Sequence, residues 1–327
     1  MRSVGRFIGR TILALVVLGA AFWYLGPREM VERGPEVMPD LTDPAGWLAA
    51  REAMFDDITP GTQARIIWAG AAGVPSETVI VYLHGFSATS EETRPVPDRV
   101  AEAFGANLIF ARLPGHGRDG AAMAEPRAGD WIDDVDTMLR LARGIGNRVV
   151  VIGTSTGATL TAWAATDPEM ARDVAAMVMI SPNFELANPA GTLLEWPMAR
   201  VWLPWVVGAE RRFEPHNEQH GTFWTTAYPT SATVTLGTLL RETRARDFSA
   251  VTIPALFLFA DTDQVISAQA ARDVAARWGG DATILPVAVP EVGGDPVNHV
   301  IAGDILSPAL TDRVVEDITA WLRDTLR

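Results

Sequence analysis

Short apolar runs, separated by polar or alanine-rich stretches, recur along the chain from residue 78 onward. Five of them predict buried strands: residues 78–83, 107–112, 148–152, 255–260 and 283–289. Runs of this length, rich in β-branched residues and bounded by turn formers, are typical of strands that are buried on both faces. An alanine- and threonine-rich stretch at 158–165 predicts a helix after the third run. This alternation predicts an α/β protein.

The first 26 residues have a different pattern. Arg2, Arg6 and Arg10 precede an uncharged, mostly apolar run at 11–26, which has aromatic residues at 22–24, near its end. With residues 7–9 the run reaches about 20 residues, the length that a helix needs to cross a bilayer. We predict an uncleaved transmembrane anchor, with a cleaved signal peptide as the alternative. Basic residues before the span favour a cytoplasmic N-terminus, so we expect the rest of the chain to be extracytoplasmic, and periplasmic in a bacterium.

A Gly-x-Ser-x-Gly motif follows the third predicted strand, at residues 153–157, and leads into the predicted helix. A serine at the centre of such a strand–turn–helix unit has a strained backbone and an accessible hydroxyl next to a helix N-terminus. Small flanking residues are needed because side chains there would collide with the strand and the helix. We therefore predict that Ser155 is a nucleophile.

Two backbone amides are candidates for an oxyanion hole. The strand at 78–83 ends in His84-Gly85-Phe86, and the N–H groups of Phe86 and Thr156 would converge on the oxygen of a tetrahedral intermediate. His84 lies upstream of the serine, so we interpret it as a hydrogen-bonded structural histidine. His116, in a glycine-rich turn, would be a catalytic base only if the chain order were unusual.

The acid and the base are expected after the serine, in that order. His299 is the only histidine downstream of the carboxylates that follow the strand at 255–260, and we predict that it is the general base. Asp263 is the preferred orienting carboxylate, Asp261 is its nearest rival, and Asp295 comes third. Such a carboxylate fixes the imidazole tautomer and stabilises the imidazolium.

Taken together, these motifs resemble the α/β-hydrolase superfamily, and within it the carboxylesterase and monoacylglycerol-lipase branch (the serine aminopeptidase S33-like group). The resemblance covers roughly residues 75–325. It implies an α/β-hydrolase fold, with a mostly parallel central sheet, helices on both faces and an inserted cap. The family places its acid in Gly-x-x-Asp; Ala260 replaces that glycine, and the spacing favours Asp263 over Asp261. Thr154 and Thr156 depart from the residues that often flank the serine in the lipases.

The resemblance and the composition divide the chain into four parts. They are an anchor (1–26), a linker arm with early strands (27–75), a hydrolase core (76–184 and 250–327) and a cap insertion (185–249). In the arm, Asp43 or Pro44 starts a predicted helix that includes Trp47 to Met54. The cap holds four of the eleven tryptophans, which either pack the cap onto the core or line an acyl pocket or contact lipid: Trp196, Trp202, Trp205 and Trp224.

Composition removes several classes of chemistry. The chain has no cysteine, and all 27 of its basic residues are arginine. Thiol nucleophiles, cysteine-type zinc sites, Schiff-base lysines and P-loop lysines are therefore excluded. A net charge of −13 argues against nucleic-acid binding. His216 and His220 flank Glu218 at a spacing that suggests zinc, but without a third ligand we interpret the segment as a polar cap loop, and we expect no metal and no cofactor.

We therefore predict a serine hydrolase that cleaves the carboxylic esters of small or lipid-like molecules. The same residues are compatible with an acyltransferase or a cofactor-free peroxidase. A membrane-anchored scaffold with an idle triad is the alternative outside enzymes.

Overall fold

The computed structural model describes residues 2–327, and its strands follow the predicted order. Their bounds are β1 (Arg65–Ile67), β2 (Ser76–Leu83), β3 (Asn107–Phe110), β4 (Gly146–Thr154), β5 (Val174–Ile180), β6 (Glu210–Arg212), β7 (Ala227–Pro229), β8 (Ala255–Phe259) and β9 (Ala282–Pro286). The predicted strands at 107–112 and 283–289 thus end earlier. The chain leaves β3 before Arg112, whose side chain turns into a buried ion pair instead of facing a neighbouring strand.

Helices separate these strands. Their bounds are α1 (Arg2–Leu25), α2 (Pro44–Glu52), α3 (Val96–Phe104), α4 (Ala128–Gly144), α5 (Thr156–Ala165), α6 (Pro168–Ala171), α7 (Ala199–Val207), α8 (Glu218–Phe223), α9 (Thr230–Arg244), α10 (Ala268–Arg277) and α11 (Pro308–Thr325), with short 3₁₀ helices at Ala122–Ala124 and Pro189–Glu195.

The central sheet has the strand order β1-β3-β2-β4-β5-β8-β9. Only β1 runs antiparallel to its neighbour, and each other pair in this sheet is parallel. The carboxyl ends of parallel strands lie at one edge of the sheet, and ligands of open α/β sheets bind at that edge. The predicted fold class, a mostly parallel α/β sheet with helices, is confirmed.

The core lies on both faces of the sheet. Along β2, Val79, Val81 and Leu83 belong to one apolar cluster, whereas Ile80 and Tyr82 belong to the other. Side chains of a strand point alternately to the two faces, so a strand covered on both sides is apolar at every position. This is why the strand runs are continuous rather than alternating.

The arm that precedes the sheet is held by a buried ion pair. Helix α2 begins at Pro44, and the Asp43 side chain accepts a hydrogen bond from the backbone of Gly46, which confirms the predicted start. At the other end of α2, both carboxylate oxygens of Glu52 accept from the Arg112 guanidinium, at 2.5 and 3.1 Å. Both side chains are buried, so loss of either partner would leave an unpaired charge in the core.

The segment between β5 and β8 covers the carboxyl edge of the sheet. It contains the second 3₁₀ helix, α7, the antiparallel pair β6 and β7 with α8 between them in the chain, and α9. Leu236, Leu239 and Leu240 of α9 are part of the main apolar cluster, so this helix also packs on the core. The boundaries of the cap, 185–249, remain a prediction.

Helix α1 stands apart from this packing. The stretch Arg6–Leu25 is long and apolar enough to cross a membrane, and none of it is buried against the protein. A signal sequence has the same properties, so the structure is compatible with both interpretations of the N-terminus.

Candidate active site

The Gly-x-Ser-x-Gly motif forms the turn between β4 and α5. Ser155 has φ 52° and ψ −114°, a strained conformation for a residue with a side chain. A Cβ on Gly157 would lie 2.0 Å from the carbonyl oxygen of Leu83, and one on Gly153 would lie 2.5 Å from the carbonyl oxygen of Gly157. Glycine is therefore required on both sides of the turn, and the serine hydroxyl stands at the carboxyl edge of the sheet.

His299 connects this serine to a carboxylate. Its Nε2 lies 3.0 Å from the Ser155 hydroxyl oxygen, and its Nδ1 lies 2.8 Å from Oδ2 of Asp263. All three residues are buried. The structure brings together three of the sequence-predicted site residues in a continuous chain of hydrogen bonds.

The two rival carboxylates have other partners. Asp261 is exposed and binds Arg272 at 2.5 Å. Asp295 accepts, through Oδ2, from the backbone N–H groups of His299 and Val300, both at 2.9 Å. Asp295 thus fixes the loop that carries the histidine, while Asp263 contacts the imidazole itself.

The loops at the ends of β8 and β9 position these groups. Oδ1 of Asp263 accepts from the backbone of Val265 and Ile266, at 2.8 and 3.0 Å, which leaves Oδ2 for the imidazole. The Ser181 hydroxyl donates to the carbonyl oxygen of His299 at 2.5 Å. With Asp295 bonded to the amide of the same residue, both backbone polar groups of His299 are engaged.

Burial and the neighbouring carboxylates act in opposite directions on His299. Burial lowers the pKa of the imidazole, whereas the charge and hydrogen bond of Asp263 raise it, helped by Glu92 and Asp295. The net result is a pKa above the ordinary value of 6.5. The carboxylates therefore make the imidazole a better proton acceptor.

Two backbone N–H groups next to Ser155 have no acceptor. Among residues 2–327, neither the amide of Phe86 nor that of Thr156 donates to a protein atom. The phenyl ring of Phe86 holds its loop by edge-to-face contacts with Trp131, Tyr228 and His116, at centroid distances of 5.3–6.1 Å. The two predicted amides are therefore free to bind an oxygen of a substrate.

Glu92 lies under this loop, and sequence reasoning missed it. Its Oε2 accepts from the backbone N–H of Gly85 at 2.6 Å, and a Cβ on Gly85 would be 3.1 Å from Cβ of Ser155. Burial raises the pKa of Glu92 to about 7, although the Gly85 bond, His299 and Tyr82 lower it. Nothing in the local sequence signals the contact between Glu92 and Gly85, because only the folded loop brings the two residues together.

The raised pKa of Glu92 predicts that the stability of the protein depends on pH. Its folded pKa of about 7 lies above its ordinary value of 4.5, so the folded state keeps a proton that the unfolded state has lost. We expect the free energy of unfolding to fall as the pH rises from 4.5 through 7, relative to a Glu92→Gln variant that cannot ionise. Unfolding in urea at a series of pH values measures the difference. Parallel profiles for the two proteins would contradict this expectation.

The upstream histidines are structural. His84 is buried, donates from Nδ1 to the carbonyl of Gly85 at 2.9 Å, and accepts at Nε2 from the backbone of Leu113 at 3.1 Å. His116 bonds the carbonyl of Pro114 at 3.1 Å, and burial lowers its pKa to about 4. His84 is therefore hydrogen-bonded to the backbone through both ring nitrogens, as predicted, and its structural role stays an interpretation.

The cap contacts the site through its aromatic residues. Trp224 packs with Ala88 and Val300, which are next to the loop of Phe86 and the loop of His299 respectively. His220 lies edge to face on Trp224 at 4.7 Å and accepts from the backbone of His216 at 3.1 Å. Burial, followed by the neighbouring His216, lowers the pKa of His220 to about 4. Within the described part of the chain, no group of three or more His, Asp or Glu side chains is arranged to hold a metal ion.

Comparison with known proteins identifies the family of the chain. The family described as serine aminopeptidase, S33, matches residues 75–285. A thermostable monoacylglycerol lipase of Bacillus sp. (strain H-257) is 25% identical over 190 residues, which cover 57% of this chain and 71% of the relative.

Solved structures have the same fold. A structure described as LipS and LipT, two metagenome-derived lipolytic enzymes, covers 82% of this chain and 99% of its own, with a TM-score of 0.64 and 20% identity. The monoacylglycerol lipase of Paleococcus ferrophilus covers 80% and 98%, with a TM-score of 0.58 and 13% identity. A soluble variant of monoglyceride lipase from Saccharomyces cerevisiae, in complex with a substrate analog, covers 80% and 91%, with a TM-score of 0.60 and 9% identity.

The sheet order, the serine turn and these matches define an α/β-hydrolase. The family match extends over more than half of the chain, so the protein belongs to the serine aminopeptidase S33 family. The resemblance and the enzyme class predicted from the sequence are confirmed.

Proposed function

We propose that the protein is a serine hydrolase of carboxylic esters that works through Ser155, His299 and Asp263. The observation that carries the proposal is the position of His299, which bonds the serine hydroxyl on one side and the carboxylate on the other. Because Nδ1 donates to Asp263, Nε2 is the free acceptor of the neutral imidazole and faces the hydroxyl.

In the first half of the reaction, Ser155 Oγ attacks the acyl carbon while His299 Nε2 takes its proton. The amides of Phe86 and Thr156 donate to the oxyanion, and the alcohol leaves with the proton from the imidazolium. In the second half, water gives its proton to His299 and attacks the acyl-enzyme, which releases the acid and restores the serine.

The substrate class is an ester with an apolar acyl group, of the monoacylglycerol or simple carboxylester type. The curated relative is a monoacylglycerol lipase, and Trp224 of the cap packs with Ala88 and Val300, beside the loops that carry Phe86 and His299. Neither metal nor cofactor is required by this mechanism, because the side chains move the protons and the amides bind the oxyanion.

Covalent labelling separates this proposal from an idle scaffold. A fluorophosphonate probe should label the wild-type protein and leave Ser155→Ala unlabelled. Assays with p-nitrophenyl esters and monoacylglycerols, in the presence and absence of an alcohol acceptor, distinguish free acid from a new ester as the product. A new ester as the main product would make the protein an acyltransferase.

The proposed base predicts a pH profile. The pKa of His299 lies above 6.5, so kcat/KM should fall as the pH drops through a value above 6.5, where the free enzyme takes up the proton. In the residual activity of Asp263→Asn this limb should move to lower pH, because the carboxylate that raises the pKa is gone. A profile that stays flat down to about pH 5 would argue against a histidine base.

We also propose that α1 anchors the enzyme in a membrane with the hydrolase outside the cytoplasm, in the periplasm if the organism is bacterial. The support is the apolar stretch Arg6–Leu25 and the three arginines at or before its N-terminal end, Arg2, Arg6 and Arg10. The protein should stay with membranes after a carbonate wash, and alkaline phosphatase fused after Pro35 should be active. A mature N-terminus at Phe22 would instead identify a signal peptide, and an inactive fusion would reverse the orientation.

A further inference from the structure

The outer side of α7 is apolar and has no partner within residues 2–327. Val201 and Trp205 are four positions apart, hence on one side of the helix, and are 61% and 88% exposed. Ala199 and Leu203, on the inner side, are buried against Val234 of α9. A helix with apolar side chains on every side is usually covered on every side by other parts of a protein or by lipid. The body of the protein covers only the inner side.

This outer side carries no charge. Arg200 is the only charged residue of α7. Its guanidinium is turned toward the body, where it binds both carboxylate oxygens of Glu29, the carbonyl of Ser231 and the hydroxyl of Thr235. An ionic ligand or a charged protein surface would find no complementary group on Val201 and Trp205, whereas an apolar phase would.

Helix α7 begins where α1 ends. The carbonyl of Pro27, two residues after the end of α1, accepts from the backbone of Met198 at 2.9 Å. The rings of Trp23 and Trp196 meet edge to face at 5.4 Å. Since α7 starts at the residue after Met198, a bilayer that contains α1 reaches its interface at the level of α7.

The connection between the two helices is clamped. Besides Arg200, Arg127 binds the Glu29 carboxylate at 3.1 Å, and Arg241 donates to the carbonyl of Glu29. Further along the arm, Arg33 binds Asp133. These contacts fix the C-terminal end of α1 relative to the cap. The distance of α7 from a bilayer that contains α1 therefore does not depend on a flexible linker.

We propose that the outer side of α7, with Val201 and Trp205, docks on the surface of the lipid bilayer that holds α1. The inference rests on the membrane anchor proposed above. Tryptophan is enriched at membrane interfaces, and an apolar helix face is stabilised by insertion at the boundary of headgroups and acyl chains. The cap then lies against the membrane rather than facing water.

The absence of cysteine allows a clean test, because any introduced cysteine is the only one in the chain. Full-length Val201→Cys and Trp205→Cys proteins are labelled with a nitroxide and reconstituted in nanodiscs of phosphatidylcholine and phosphatidylglycerol. Val16→Cys, in the middle of α1, is the reference inside the bilayer. Val74→Cys is the matched control in water: it is also exposed, but it precedes β2 at the sheet edge opposite Ser155.

Collision of the label with oxygen, which concentrates in lipid, is compared with collision with a water-soluble nickel chelate. The ratio of oxygen to nickel collisions at positions 201 and 205 should exceed that at position 74 several-fold and stay below that at position 16, because the interface lies between water and the centre of the bilayer. Labels at 201 and 205 that respond like position 74 would overturn the docking and leave the anchor standing.

The remaining outcomes are equally informative. Labels at 201 and 205 that are shielded from both reagents would mean a protein partner, a second copy of this chain included, and would also overturn the proposal. A water-accessible label at position 16 would remove the anchor and the docking together. Fluorophosphonate labelling of the same samples reports on the proposed hydrolase activity, so its failure is distinguishable from a failure of docking.

Discussion

Ser155→Ala should lower kcat for ester hydrolysis by about 10⁴-fold or more and leave the fold intact. The change deletes one oxygen that faces the substrate side of the turn, and with it the atom that forms the acyl-enzyme. The strained backbone at this position is set by β4, α5 and the flanking glycines, so it does not depend on the hydroxyl. Steady-state kinetics with a soluble p-nitrophenyl ester measure the effect.

A second serine supplies the control for this variant. Ser90 is also buried and accepts from Arg65 at 3.0 Å, but it takes no part in the hydrogen bonds around His299. Ser90→Ala should keep kcat near the wild-type value, and thermal unfolding should show both variants folded. Esterase activity of Ser155→Ala within tenfold of wild type would make the nucleophile assignment wrong.

Asp263→Asn should lower kcat/KM more than Asp261→Asn, by about two orders of magnitude. An asparagine NH₂ next to Nδ1 favours the tautomer that carries its proton on Nε2, so the imidazole no longer accepts from Ser155. Asp261 is the matched control, because it differs by two positions and binds Arg272 at the surface. Kinetics of the two isosteric variants side by side give the ranking.

The reverse ranking would transfer the orienting role to Asp261. Equal and small losses would mean that neither carboxylate orients the imidazole. The second result would also be at odds with the raised pKa of His299, for which Asp263 is the main favourable cause after the opposing effect of burial.

Much of the fold could be predicted from the sequence because its signals are local. Buried parallel strands are apolar at every position, so β2, β4 and β8 are visible as uninterrupted runs. The serine turn is visible because close backbone approach demands glycine at 153 and 157. Strand β5 is absent from the strands predicted above, although Val174–Ile180 is a similar run.

The choice among the carboxylates was harder, because all three lie in loops and differ only in tertiary contacts. The resemblance to the family, which places its acid in Gly-x-x-Asp, favoured Asp263, and the structure adds that Asp261 is directed to Arg272 and Asp295 to backbone amides. The role of Asp263 remains a proposal until the variants are measured. Asp295 is instead a positioning residue, and its place four residues before the histidine, in a glycine-rich loop, is a weak signal of a turn.

Glu92 and the arm had no usable local signal. The contact of Glu92 with Gly85 joins residues seven positions apart that are brought together by a loop. The arm also binds the body through ion pairs between residues far apart in sequence, such as Arg33 with Asp133 and Glu52 with Arg112. Charged residues in a proline-punctuated stretch are also typical of a free linker, so composition did not distinguish a bound arm from a loose one.

The contacts of Glu29 with Arg127, Arg200 and Arg241 limit how far the body of the protein can move away from the end of α1. A hydrolase on a flexible tether explores a volume whose radius grows with the square root of the tether length. Here Glu29 lies four positions after the end of α1, so the slack is roughly 14 Å even at full extension. With α1 in the bilayer, as proposed, Ser155 stays at a constant distance from the membrane surface and would meet a membrane-borne substrate by lateral diffusion. The search is then two-dimensional, and the local density of ester in the leaflet, rather than its bulk concentration, sets the rate of encounter.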